Sequence, residues 1–124
     1  MELFLRDNDL SDWIELEGGV SLKIAYPSYE QDIILSANFI DAIGKEDNSQ
    51  QLISYYANLV KFCVKDWKGI INTRTKEEIK CEVVKDELSP TLMRVLITDP
   101  LLIAYWGGEI KKQIDFNETD KKKL

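Results

Sequence analysis

Ile53, Tyr56, Val60, Cys63 and Trp67 recur at steps of three, four, three and four residues, and Leu52, Leu59 and Val64 widen the stripe they form. A spacing near 3.6 predicts an amphipathic helix over about 50–68, with Lys68-Gly69 marking its exit. A stripe this regular reads as core and not as a cofactor box. The chain of 124 residues has room for a single domain.

Ahead of this helix the period changes. Val20, Leu22, Ile24 and Tyr26 alternate with Ser21, Lys23 and Ala25, a period of two that marks a half-buried strand. Trp13-Ile14-Glu15-Leu16 precedes it, and Glu17-Gly18-Gly19 lies between, so 12–26 reads as a β-hairpin. Pro27 ends the second strand. Ser28 is placed as a helix N-cap and Gln31 completes a capping box. The helix that follows carries Ile33, Ala37, Ile40 and Gly44 at four-, three- and four-residue steps, a helical face, with Gly44 as C-cap.

Beyond residue 69, the polar run 72–80 is read as a loop or a short helix, and 81–84 as extended. Ser89-Pro90 opens a short helix with Leu92, Val95 and Leu96 on its apolar side, and Asp99-Pro100 opens another. In that last helix Ile103, Trp106, Ile110 and Ile114 share a face, and Gly107-Gly108 weakens its middle by about 1 kcal/mol each. The resulting expectation is an α+β fold, mainly α: an N-terminal β-hairpin followed by about four helices. It forms one domain over 1–116, with a loose polar arm over 1–12 and a charged disordered tail over 117–124.

Several function classes are disfavoured by composition. The chain contains no histidine, which removes the usual general base, the Ser-His and Cys-His nucleophile pairs and the commonest transition-metal ligand. Net charge is −6, and residues 1–50 carry eleven acidic against three basic side chains, a distribution that repels phosphate backbones. No Gly-rich phosphate loop is present. Asp7-Asn8-Asp9-Leu10-Ser11 imitates a calcium loop, but Asp12 stands where its glycine belongs and Gly18 where its glutamate belongs. The carboxylates Glu77, Glu78, Glu82, Asp86 and Glu87 read as a solvated surface.

The start Met1-Glu2-Leu3-Phe4-Leu5 has no leader-peptide pattern. No apolar run reaches the length of a membrane span, so a cytoplasmic protein is expected. Cys63 and Cys81 are then read as small apolar side chains and not a disulfide. No catalytic, cofactor-binding or metal-binding residue is assigned. The expected activity is binding to other proteins, with Trp13, Tyr26 and Trp106 as candidate partner contacts. Trp13, opening the first strand after polar residues, is the leading one.

Three segments in order resemble one known family. Trp13-Ile14-Glu15-Leu16-Glu17-Gly18-Gly19-Val20-Ser21-Leu22-Lys23-Ile24-Ala25-Tyr26-Pro27 is similar to an N-terminal hairpin of the form W-v-e-l followed by G-v-x-l-k-v-x-Y-P. Val64-Lys65-Asp66-Trp67-Lys68-Gly69-Ile70 is similar to v-x-d-W-x-G-i after a central helix, and Ser89-Pro90-Thr91-Leu92 through Asp99-Pro100-Leu101-Leu102 to a closing pair of helices. Together they resemble the tail assembly chaperones (minor tail proteins) of long-tailed bacteriophages, over about residues 12–116. A departure is Ile71-Asn72-Thr73-Arg74-Thr75, where the family often carries a D-x-x-G turn.

The resemblance implies a non-enzymatic helper that binds the tape measure protein, keeps it soluble while tail tube protein polymerises around it, and is absent from the mature virion. It also leaves open self-association and a longer frameshifted form, for which the lysine run 121–123 would supply an A-rich slippery site. The alternative readings are a structural tail completion or connector subunit and a small binding protein of another kind.

Overall fold

The computed structural model describes residues 13–122, with side chains described as far as residue 115. The expected arm over 1–12 therefore lies outside the described residues. The architecture is α+β and mainly α, an N-terminal β-hairpin preceding four helices. Strands β1 (Ile14–Glu15) and β2 (Ser21–Ile24) pair antiparallel through a 3-10 turn at Glu17–Gly19. Helices α1 (Tyr29–Ile43) and α2 (Ser49–Cys63) follow, then β3 (Val64–Lys68), a small hairpin of β4 (Val83–Val84) and β5 (Glu87–Leu88), and helices α3 (Pro90–Leu96) and α4 (Pro100–Lys122).

The central helix is shorter than its periodicity predicts. It ends at Cys63, and Val64 enters a strand that returns to pair with β2, giving the order β1-β2-β3. The three-and-four spacing survives the change of conformation because of an irregularity in the β2–β3 register between Lys23 and Ile24. That slip lets Val64, opposite Ile24, and Trp67, opposite Leu22, both face the core although they are three apart. Inward-pointing strand residues thus imitate one more turn of helix.

Helix α2 is the centre of the molecule and packs on α4, α1 and β5. Leu22, Val60, Cys63, Val64, Ile103 and Ile110 are fully enclosed there. Trp67 and Trp106 meet edge to face with ring centroids 6.0 Å apart, and the Trp67 indole Nε1 donates to the Ile79 carbonyl at 2.7 Å. That bond anchors the 71–79 segment, which is a turn closed by a bridge between Ile71 and Glu78 and contains no helix. The face Ile103, Trp106, Ile110 and Ile114 of α4 packs inward as its spacing predicts. On α3, Leu92 and Leu96 pack inward but Val95 is exposed. The α4 backbone runs on to Lys122, past the boundary at which a tail was expected to begin; the side chains from 116 onward lie outside the described residues.

The capping chemistry is as the sequence predicts. Ser28 Oγ accepts from Gln31 N at 3.2 Å while Gln31 Oε1 accepts from Ser28 N at 2.9 Å. Ser89 Oγ accepts from Leu92 N, and Asp99 Oδ1 from Leu102 N. Gly44 closes α1 with its N–H on the Ile40 carbonyl.

Candidate functional site: an outward apolar seam on helix α1

Helix α1 carries two stripes on opposite sides. Gln31, Leu35, Asn38 and Ala42, at steps of four, three and four, form the side that meets the rest of the protein. Gln31, Leu35 and Ala42 are buried, and Asn38 Oδ1 accepts from Asn58 Nδ2 of α2 at 2.7 Å. Gln31 also ties the helix to the β4–β5 turn, its Nε2 donating to the Asp86 carbonyl at 3.3 Å. Its other edge holds Tyr29, Ile33, Ile40 and Ile43, which are 80%, 52%, 65% and 65% exposed, with Ser36 and Ala37 exposed between them. The face read from the spacing of Ile33, Ala37, Ile40 and Gly44 points to solvent. The physical reason is the polar half of the helix: Gln31 and Asn38 find specific partners inside, and their bonds set the rotation that carries the isoleucines outward.

Spacing makes this edge a heptad seam. Ile33 and Ile40 are seven apart, as are Tyr29, Ser36 and Ile43, which is the a/d arrangement of a helix built to pack against another helix. The margins are acidic: Glu30 and Asp41 lie along one side and Asp32 along the other, and α1 contains neither lysine nor arginine. On the Asp32 side the seam borders a groove of about 360 Å³ between α1, α2 and α4, floored by Leu35, Phe39, Tyr55, Leu59 and Ile114. Phe39 stacks obliquely on Tyr55 at 5.8 Å, burial raises the Tyr55 hydroxyl pKa, and Lys111 pairs with Asp115 at 3.0 Å on the rim.

A second apolar depression, of about 640 Å³, lies between the β4–β5 hairpin and α3, with Val84, Leu88, Met93 and Ile97 lining it and Lys61, Lys85 and Arg94 around it.

The three aromatic candidates are not brought together. Trp106 is 2% exposed beside Trp67, and Tyr26 is 8% exposed, so both are core residues in this fold and neither is presented to a partner. Trp13 is half-buried on the outer side of the sheet, with Lys68 Nζ 3.9 Å and Lys23 Nζ 5.8 Å from its ring centre. Those ammonium groups cover the ring face through cation–π contact, so Trp13 is a capped aromatic and not an open anchor.

The acidic run over 77–87 contributes no converging pair. Glu78 accepts from the Gly69 N–H, Asp86 pairs with Lys65 at 2.7 Å, and Glu87 with Lys61 at 3.5 Å. Among the described residues, no group of three or more His, Cys, Asp or Glu side chains is arranged to hold a metal ion. Neither Cys63 nor Cys81 is in a disulfide; burial, with Asp66 adding to it, pushes the Cys81 pKa up to about 11. Among the described residues no helix is long and apolar enough to cross a membrane.

The fold and its surface thus define a small α+β domain, mainly helical, in which α1 leaves an apolar edge uncovered. Comparison with protein-family models, with curated proteins and with solved structures finds no match to the chain.

Proposed function

We propose that this protein is a non-enzymatic assembly chaperone of the long-tailed-phage type, holding the tape measure protein in solution while tail tube protein assembles. One observation carries the binding part of this reading: an apolar heptad seam stands outward on α1 although the same helix turns the polar Gln31 and Asn38 inward. An apolar stripe exposed on a small domain marks a contact surface, and a helix edge of this kind fits another amphipathic helix. A tape measure protein, long and helical, offers many such edges. The order of hairpin, central helix, W-x-G turn and closing helices adds the resemblance to the tail chaperones, and the acidic surface suits a protein that must itself stay dispersed. Its place of action is the host cytoplasm.

Co-expression with a candidate tape measure protein tests the proposal. The expected outcome is a soluble complex recovered on either partner, with the chaperone absent by mass spectrometry from finished particles. Unchanged tape-measure solubility with no complex refutes it, and stoichiometric presence in virions assigns the protein to the structural tail components instead.

A further inference from the structure

We infer that the apolar depression between the β4–β5 hairpin and α3 is a docking site for an acidic amphipathic helix of another protein. The apolar side chains of that helix enter the depression, and its carboxylates meet Lys85 and Arg94. The inference does not depend on the chaperone reading.

The depression holds about 640 Å³. Of its lining side chains Leu88 is buried, whereas Val84 and Ile97 are 46% and 50% exposed. Met93, unbranched and polarisable, lets such a surface adapt to a bulky apolar guest. The strands of the hairpin have two residues each, too few backbone groups to add a strand, so side chains must make the contact, as in a helix-in-groove complex. Helix α3 spans seven residues, about 10 Å, which matches two to three turns of a guest helix. Charge selects the guest. Three cations, Lys61, Lys85 and Arg94, and one carboxylate, Glu87, line the depression, an excess of +2 in a chain of net charge −6. Lys61 is taken: it pairs with Glu87 at 3.5 Å and lies over the Phe62 ring. The carboxylates nearby in the chain do not answer the other two. Asp86 pairs with Lys65 at 2.7 Å, Asp99 accepts from the Leu102 N–H, and Glu82 does not line the depression. Lys85 and Arg94, both exposed, have no ion pair among the described residues. One belongs to the hairpin and the other to α3, so carboxylates on both flanks of an apolar ridge are matched at once, which a single fatty-acid headgroup cannot achieve. Lys85 also stands at φ 51°, where glycine or asparagine is easier. Residues held in such conformations cluster at functional sites, and here the residue supplies a cation beside the depression.

The probes are two synthetic helical peptides with the same Leu and Phe stripe, one flanked by Glu and the other by Lys. Binding to the full-length protein is read by fluorescence anisotropy. The Glu peptide is expected to bind about tenfold more tightly and to weaken with salt, although the chain's net charge of −6 favours the Lys peptide. Its affinity should fall about tenfold on Lys85→Glu/Arg94→Glu and on Val84→Ser/Ile97→Ser. It should fall by less than about twofold on Arg74→Glu/Lys76→Glu, which makes the same change of net charge on the exposed 71–79 turn. Lys85→Gly guards against a variant that merely misfolds: it should lose affinity about threefold while its Tm holds or rises. Equal binding of the two peptides overturns the inference, as does undiminished binding to Lys85→Gly. An equal loss on Arg74→Glu/Lys76→Glu overturns it too, because the attraction is then unspecific. Dodecanoate binding that is lost in Val84→Ser/Ile97→Ser, with no Glu-peptide binding, overturns it by making a small amphiphile the occupant. A dimer seen by analytical ultracentrifugation and abolished in Lys85→Glu/Arg94→Glu overturns it by making a second copy the occupant. A large Tm loss in Val84→Ser/Ile97→Ser also overturns it, because the lining would then be part of the core.

Discussion

Gly107 of α4 lies directly against Tyr56 of α2: a methyl group placed on Gly107 would sit 2.6 Å from Tyr56 Cβ and 2.9 Å from its Cα. The two helices of the core approach closely enough that backbone and side-chain stem share the space of a single Cβ. The neighbouring Gly108 has open space where its Cβ would be.

The two glycines therefore predict opposite outcomes from the same substitution. Gly107→Ala should destabilise by up to about 2 kcal/mol, since overpacking costs roughly 1–3 kcal/mol and the gain in helix propensity returns only about 1 kcal/mol. Gly108→Ala should stabilise by about 0.5–1 kcal/mol through propensity alone. Urea unfolding of the two variants checks both signs.

Rotation of α1 is tested by truncating each stripe. Leu35→Ala, on the buried side, should cost about 2–3 kcal/mol. Ile40 is 65% exposed. Its replacement by alanine should change stability by no more than about 0.5 kcal/mol. Equal losses at the two positions would mean that α1 is turned with its isoleucines inward, and the seam would not exist.

The β4–β5 turn places Lys85 at φ 51° and Asp86 at φ 66°. This is the left-handed pair that a two-residue hairpin of this hand requires. Lysine has no side-chain bond to its own backbone to favour that conformation, and its Cβ makes it costly. Lys85→Gly should raise stability by about 0.5–1 kcal/mol. Asp86 is best left in place, because it pairs with Lys65 and its carbonyl accepts from Gln31. Thermal denaturation decides it.

Cys81 carries a pH prediction. Its thiol moves from an ordinary value of 9.0 to about 11 through burial and the nearby Asp66, so the folded state holds the proton more tightly than the unfolded chain. The corresponding stabilisation is complete below the ordinary value and is lost as pH rises through the folded one. Wild type should therefore lose more Tm than Cys81→Ala between about pH 8.5 and about pH 10.5. At about pH 8, iodoacetamide should modify Cys81 at least tenfold more slowly in native than in denatured protein, because the thiolate is the reacting species.

Trp67→Phe removes the indole donor that holds the Ile79 carbonyl. The cost should be about 1–3 kcal/mol, and the 71–79 turn should become the first protease-sensitive segment of the variant. Cleavage that begins elsewhere would mean that the turn is held by its own Asn72 and Glu78 contacts.

Features decided by contacts a few residues apart were legible from the chain alone. The period of two in Val20, Leu22 and Ile24, the Ser28–Gln31 box, and the starts at Ser89-Pro90 and Asp99-Pro100 are all local, and each stands where its chemistry puts it. The Gly-Gly turn and the W-x-G turn were both visible, but their relation was not. Gly69, at φ +85°, packs tightly on the Gly19 carbonyl. Only a residue without Cβ fits there.

What tertiary structure alone decided is direction. Periodicity shows that α1 has an apolar stripe, yet a stripe is equally apolar facing a core or facing a partner. Asn58, and the Asp86 carbonyl far along the chain, bond Asn38 and Gln31 on the inward side and so turn the isoleucines outward. The same holds for Val64 and Trp67, whose inward aim is strand geometry against β2, and for Trp106, whose place beside Trp67 removes it from the surface. Trp13 was the expected anchor; the helix beyond it carries the open surface, because burial is a property of what packs on a residue and not of the residue itself.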